Sequence, residues 1–333
     1  VGNTATQDGA AIYIQDFDTV LITAGLFSQN ESQQTGGAIL LKAGNSESSC
    51  CDIESSEFEF NKALNGGAVT LLDFNQSSLL NNRFIQNSAF SQSMECSGGA
   101  VYTVDIDDLV FDGNEFISNS ASTTSTQNNI QSYGGSLCIL NNKYFKGSGN
   151  DFRFSNAEVG GAVFAKNTDA TLNPSVNYDN NFFFNNGSTF GGAVYYDLMN
   201  KGGIYATENV FLMNSAGFSG GAIDLRNVGR FESVRNIFRS NFNEGKNLSG
   251  VVGASAILTW NVPESNYYNT VFDYNFYKKD TITERESTIW IKNHDNVYFE
   301  NCTFLNQIPQ DNPVIYKDQN SELLIIVNSI FSG

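Results

Sequence analysis

Two short motifs alternate along the whole 333-residue chain, and that alternation leaves few folds open to it. The first is a Gly-Gly-Ala-apolar tetrad. It appears as Gly36-Gly37-Ala38-Ile39, Gly66-Gly67-Ala68-Val69, Gly98-Gly99-Ala100-Val101, Gly160-Gly161-Ala162-Val163, Gly191-Gly192-Ala193-Val194 and Gly220-Gly221-Ala222-Ile223. Degenerate copies stand at Gly9-Ala10-Ala11-Ile12, Gly134-Gly135-Ser136-Leu137 and Ala254-Ser255-Ala256-Ile257, and the mean spacing is about 31 residues. The second motif, Phe-x-x-Asn, falls between the tetrads: Phe27/Asn30, Phe58/Asn61, Phe84/Asn87, Phe116/Asn119, Phe182/Asn185, Phe211/Asn214, Phe238/Asn241 and Phe272/Asn275. Phe152 with Ser155 is a weaker copy, and Phe304 and Phe331 keep only the ring. An Asn precedes the Phe by two residues at Asn82, Asn114, Asn150, Asn180, Asn209 and Asn236, and by three at Asn269, Asn301 and Asn328.

Fixed motifs with elastic gaps describe a coil with constant corners and variable loops. Short alternating runs such as Ala100-Val-Tyr-Thr-Val104 fit strands, and nothing shows the 3.6-residue apolar period of a helical repeat. The expectation is an all-β, right-handed, single-stranded parallel β-helix of about eleven coils filling residues 1–333 as one domain. At ~4.8 Å per coil the rod is about 50 Å long. The glycines supply positive φ at a tight corner. The eleven phenylalanines Phe27, Phe58, Phe84, Phe116, Phe152, Phe182, Phe211, Phe238, Phe272, Phe304 and Phe331 form an interior stack. The asparagines form coil-to-coil hydrogen-bond ladders.

At these motifs the chain resembles the polymorphic outer-membrane adhesins of chlamydiae, whose passenger domains repeat Gly-Gly-Ala-Ile and Phe-x-x-Asn. It is equally similar to the large secreted β-helix proteins of ciliates and other protists, which share a pectin-lyase-like fold. The resemblance spans essentially the whole chain and implies adhesion at a cell surface. The wider superfamily also implies an alternative: polysaccharide lyases and hydrolases.

Composition narrows the partners. Lys plus Arg is 18 against Asp plus Glu 35, a net charge of −17, which disfavours nucleic acid and anionic membrane surfaces. No apolar run reaches the ~20 residues of a membrane helix. The expected setting is extracellular, with glycans or further coils as partners. The chain starts in phase just after a Phe-x-x-Asn position and stops at Phe331, which suggests a segment of a longer solenoid or a subunit that stacks head to tail into a fibre.

Chemistry is sparse. Carboxylates gather at Asp105, Asp107 and Asp108, the candidates for a Ca²⁺ site, and at Asp16 and Asp18. Without a nearby base or nucleophile they read as solvated turns, so no catalytic residue and no cofactor is expected. The single His294 sits in a turn sequence and reads as surface. The five cysteines are Cys50, Cys51, Cys96, Cys138 and Cys302; Cys50 or Cys51 is expected to bridge to Cys96, Cys138 reads as a buried free thiol, and because five is odd at least one stays unpaired or links chains. Five sequons are candidates for glycosylation. Asn30, Asn186 and Asn247 are expected in exposed loops, Asn301 in an occluded corner, and Asn75 elsewhere. Tyr195-Tyr196 and Tyr267-Tyr268 are the candidates for an exposed aromatic stripe that would bind carbohydrate without cleaving it.

Overall fold

A computed structural model describes residues 1–44, 48–125, 131–169, 171–245, 253–277, 287–307, 313–318 and 320–332. The chain winds as a parallel β-solenoid of about ten turns, and every strand pairing is parallel. One coil shows the plan. A first leg, Val101–Val104, turns into a second, Asp108–Asp112; a third, Glu115–Ile117, carries the Phe; a short fourth, Ser120–Thr123, leads back. Third legs build an eleven-stranded sheet. First and second legs share a twenty-stranded sheet, because Val194–Thr207 and Ile223–Val234 run unbroken through the corner between them.

The glycine pair explains the closure of each coil. The first glycine holds positive φ, +63° at Gly98. A Cβ on the second, Gly99, would overlap the carbonyl oxygen of Gly135 in the next coil. Only a residue without a side chain lets successive corners stack that closely. The following apolar residue then points inward, and Ile39, Val69, Val101, Leu137, Val163, Val194, Ile223, Ile257, Ile289 and Ile315 lie in one register column. The degenerate tetrads therefore occupy the same corner as the full ones.

The interior phenylalanine stack exists, with one correction. Ten successive ring pairs lie 4.6 to 5.1 Å apart and within 10° of parallel. In the sixth coil the stacked ring is Phe183, not Phe182. Phe182 faces outward, over Arg153. A shift of one residue turns a strand side chain to the opposite face. The asparagines shift with it: Asn181 and Asn186, not Asn180 and Asn185, enter the ladders.

Two buried asparagine ladders flank the stack. In one, Asn82, Asn114, Asn150, Asn181, Asn209 and Asn236 follow one another. In each link the side-chain amide donates to the next Oδ1. The backbone N–H of the first Asn donates to the same oxygen, as Asn82 does to Asn114 at 2.9 Å. The other ladder joins Asn30, Asn61, Asn87 and Asn119, is broken by Ser155, and resumes through Asn186, Asn214, Asn241 and Asn275. The asparagines three residues before a Phe have another role. Asn269, Asn301 and Asn328 adopt φ near +50° at a corner, and the ladder position passes to Thr270, Cys302 and Ser329. Asn tolerates this left-handed geometry better than most residues.

Candidate functional site

Because the repeated residues face inward or close corners, chemistry must be sought on the outer faces. The first leg is the richest. Its second residue points outward, and successive coils place Tyr102, Cys138, Phe164, Tyr195, Asp224, Leu258, Trp290 and Tyr316 in one row. Two positions on, a parallel row holds Leu140, Lys166, Asp197, Arg226, Trp260 and Lys292.

The chain just before the glycine corner folds back over this face. Tyr133, Val159 and Phe190 bridge to one another there. They form one wall of a groove of about 250 Å³, whose floor is Phe164, Tyr195, Lys166, Asp197 and Arg226. Tyr133 and Phe164 lie 4.7 Å apart, and Phe164 stacks on Tyr195 at 5.5 Å. The Arg226 guanidinium sits between three rings, 5.5 Å from Phe190, 5.3 Å from Tyr195 and 5.5 Å from Trp260. Lys292 continues the alternation, 3.8 Å over Trp260.

Charge in the groove is fixed. Arg226 donates from Nε (3.1 Å) and Nη2 (2.9 Å) to the two carboxylate oxygens of Asp224, whose side chain is fully buried. Burial opposes the charge on Arg226, but Asp224 outweighs it and raises the guanidinium pKa. Burial also raises the Tyr195 phenol, with Asp224 adding to the effect, so the hydroxyl stays neutral. Asp197 accepts from Asn227 at 2.9 Å, the first link of an outer ladder through Asn261, Asn293 and Asn320.

Of the tyrosine pairs, Tyr195 faces this groove, while Tyr196 points inward and meets the Tyr178 hydroxyl. Tyr267 is likewise interior, and Tyr268 lies outside, 5.8 Å from Tyr298. The acidic candidates do not converge. Asp105 occupies a corner with φ of 54°, Asp107 pairs with Lys143 at 2.6 Å, and Asp108 lines a separate outer hollow with Asp52 and Tyr144. Asp16 and Asp18 are exposed. Among the described residues no three His, Cys, Asp or Glu side chains come together as metal ligands.

Several expectations are corrected. His294 is buried, not superficial. Its Nδ1 lies 3.0 Å from the Lys292 carbonyl, and burial lowers its pKa to about 4. All five thiols are free. Cys51 packs inside the main core, whereas Cys96 sits in a separate cluster with Ala89, Ala121 and Ala157 beside another corner, so the expected bridge has no geometry to form. Cys50 faces outward, with Thr19 at 3.6 Å. Cys138 is the buried free thiol expected of it, and lies beneath the groove aromatics. Asn30 and Asn186 are not exposed; both are ladder members with no accessible surface. Asn301 is exposed where occlusion was expected, Asn75 is half-buried against Ser49, and Asn247 lies outside the described residues.

No helix among the described residues is long and apolar enough to cross a membrane. No known protein family, curated protein or solved structure matches the chain.

Sequence reasoning found Tyr195 but missed Arg226, Phe164 and Trp260. Their residue types do not repeat, and the available signal was their place after the tetrad: Phe164 and Tyr195 directly follow its apolar residue, and Arg226 and Trp260 stand three residues after it.

Proposed function

We propose that the chain is a structural, adhesive β-helix of an extracellular surface, akin to pectin-lyase-like surface proteins. It acts by holding a recognition face on a rigid rod and does not cleave its partner. The observation that carries this reading is the Asp224–Arg226 pair. Both oxygens of a fully buried carboxylate are engaged by one guanidinium. With both oxygens held, this carboxylate is not free to exchange a proton or attack, as the paired carboxyl groups of a glycoside hydrolase must. The groove therefore has aromatic surface and fixed charge, which suit binding.

Acidic, low-charge composition supports a solvent-facing surface setting. Ile326 and Phe331 continue the interior columns of Phe299 and Phe304 yet stay exposed, a face that suits a further coil, from the same chain or from another copy.

The test is a panel of immobilised polysaccharides and matrix proteins incubated with purified chain, with bound protein and newly formed reducing or unsaturated ends measured together. Retention without new ends is the expected result. Release of new ends would establish an enzyme and overturn the proposal.

A further inference from the structure

Four of the five sequons fall on described residues, and the coil geometry separates them. We infer that Asn301 is the acceptor of an N-linked glycan, and that Asn30 and Asn186 carry none in the folded chain. This rests on the extracellular setting proposed above and names the modification that such a setting brings.

The two ladder asparagines have committed amides. Asn186 Nδ2 donates to Asn214 Oδ1 and to the Phe152 carbonyl, both at 3.0 Å, and Asn30 Nδ2 donates to Asn61 Oδ1 at 2.8 Å. Neither residue has accessible surface. A sugar on either nitrogen replaces a hydrogen-bonding proton with a bulky polar group inside a close-packed coil. Asn75 is half-buried, and its Oδ1 accepts from the Ser49 N–H and hydroxyl, both at 3.1 Å. Ser77, which completes that sequon, is buried.

Asn301 differs in each respect. It is exposed, at the corner between Asn296–Glu300 and Thr303–Leu305, with φ of 53°. Its backbone N–H donates to the Val327 carbonyl at 3.0 Å, so the corner is held. Its side-chain amide has no partner among the described residues. Thr303 completes the sequon, and because the adjacent Phe304 joins the interior stack, Thr303 faces outward. Amide and hydroxyl therefore both stand on the outer surface, where an N-linked glycan belongs. This corner joins a second leg to a third, whereas the groove lies on the first, so a glycan here leaves the groove open.

In the transfer, Asn301 Nδ2 attacks the anomeric carbon of a lipid pyrophosphate-linked oligosaccharide. The C–N bond forms and the C–O bond to the pyrophosphate breaks. The departing lipid pyrophosphate takes the electron pair, one amide proton is released, and nothing is oxidised or reduced.

The full chain, given a secretion signal, is translated into eukaryotic microsomes that hold this donor. Limited proteolysis separates folded from misfolded product, and glycans are mapped by peptide mass spectrometry. Folded product is expected to carry a glycan at Asn301 and none at Asn30 or Asn186. The Asn301 signal is lost in Asn301→Gln and in Thr303→Ala, and kept in Thr303→Ser. A double variant, Asn30→Ser with Asn186→Ser, follows the serine already present in that ladder at Ser155 and prevents glycans on the ladder sequons from trapping the chain unfolded. Folded product with Asn301 unmodified, glycans on Asn30 or Asn186 in the folded parent chain, or no modified folded product even from the double variant would each overturn the inference. Antibody labelling of intact source cells reads the extracellular setting separately. If Asn301 is modified in microsomes but the chain is found only inside cells, the extracellular reading falls; if the chain is on the surface and Asn301 is bare, only the glycan assignment falls.

Discussion

The inside and the outside of the same first-leg strands follow different rules. Inward positions hold almost one residue type per row: the tetrad Val or Ile column, and beside it the stacked phenylalanines and the asparagine ladders. Outward positions change at every coil, from Tyr102 through Cys138, Phe164 and Tyr195 to Asp224, Leu258 and Trp290. A column inside the coil must fit the same residue type above and below, so identity is selected by packing. A row outside meets solvent or a partner and is free to vary. Repetition therefore marks the scaffold, and its local absence marks where recognition can be built.

The sixth coil offers the sharpest way to break that contrast, because Phe182, Phe183 and Phe184 present the same ring to both faces. Phe183→Ala removes a fully buried ring stacked 4.9 Å from Phe152 and 4.7 Å from Phe211. A loss of about 3–5 kcal/mol is expected. Phe182→Ala, on the outer face, is expected to cost under about 1 kcal/mol. Urea denaturation read by hydrogen exchange in coils five to seven compares them, since solenoids can open locally. Equal losses, or a larger one for Phe182, would mean that the register is the one the Phe-x-x-Asn motif suggests.

A second test concerns the ladders. Asn114→Ala leaves the Leu79 carbonyl, the Asn82 backbone N–H and one Asn82 side-chain N–H without these partners, all in the interior. The three losses cost about 3–4 kcal/mol together. Asn301→Ala, at an exposed corner with φ of 53°, removes only the left-handed preference, about 1 kcal/mol. Asparagine thus has two separable roles one residue apart, and amide exchange around each site distinguishes them.

His294 gives a pH-dependent version of the same contrast between inside and outside. Its folded pKa is about 4, against 6.5 when free, because burial opposes the charged ring. The group's contribution is fully present above pH 6.5 and is lost as pH falls from there toward 4. Over that window the difference is on the order of 2–3 kcal/mol. A His294→Gln variant should show a flatter stability profile between pH 6.5 and 4 than the parent chain. An unchanged slope would assign the acid sensitivity to carboxylates elsewhere.

These contrasts also explain what the sequence could and could not reveal. Coil number, the glycine corner and the interior column were legible because packing enforces them at every turn. The sixth-coil register was not: Asn180-Asn181, Phe182-Phe183 and Asn185-Asn186 are all doubled, so residue type alone could not choose the face. The buried sequons Asn30 and Asn186 misled for a related reason, since a ladder asparagine and a loop asparagine look alike in sequence. The groove stayed hidden because Phe164, Tyr195, Arg226 and Trp260 meet only once the coils are in register.

The smallest expected effect is on the outer face of the third-leg sheet. There Arg83 pairs with Glu57 at 2.7 Å and Glu115 at 2.8 Å, linking three coils. By geometry this looks like a ladder equal to the asparagine one. By physics it is not, because Arg83 is half exposed and solvent screens both contacts. Arg83→Ala should cost under about 1 kcal/mol, and less still at high salt. The asparagine ladder, buried and uncharged, should show no such salt dependence. If Arg83→Ala matched Asn114→Ala in urea melts at both salt concentrations, the outer surface would contribute to coil stacking as strongly as the core, and the division between repeating scaffold and variable face would fail.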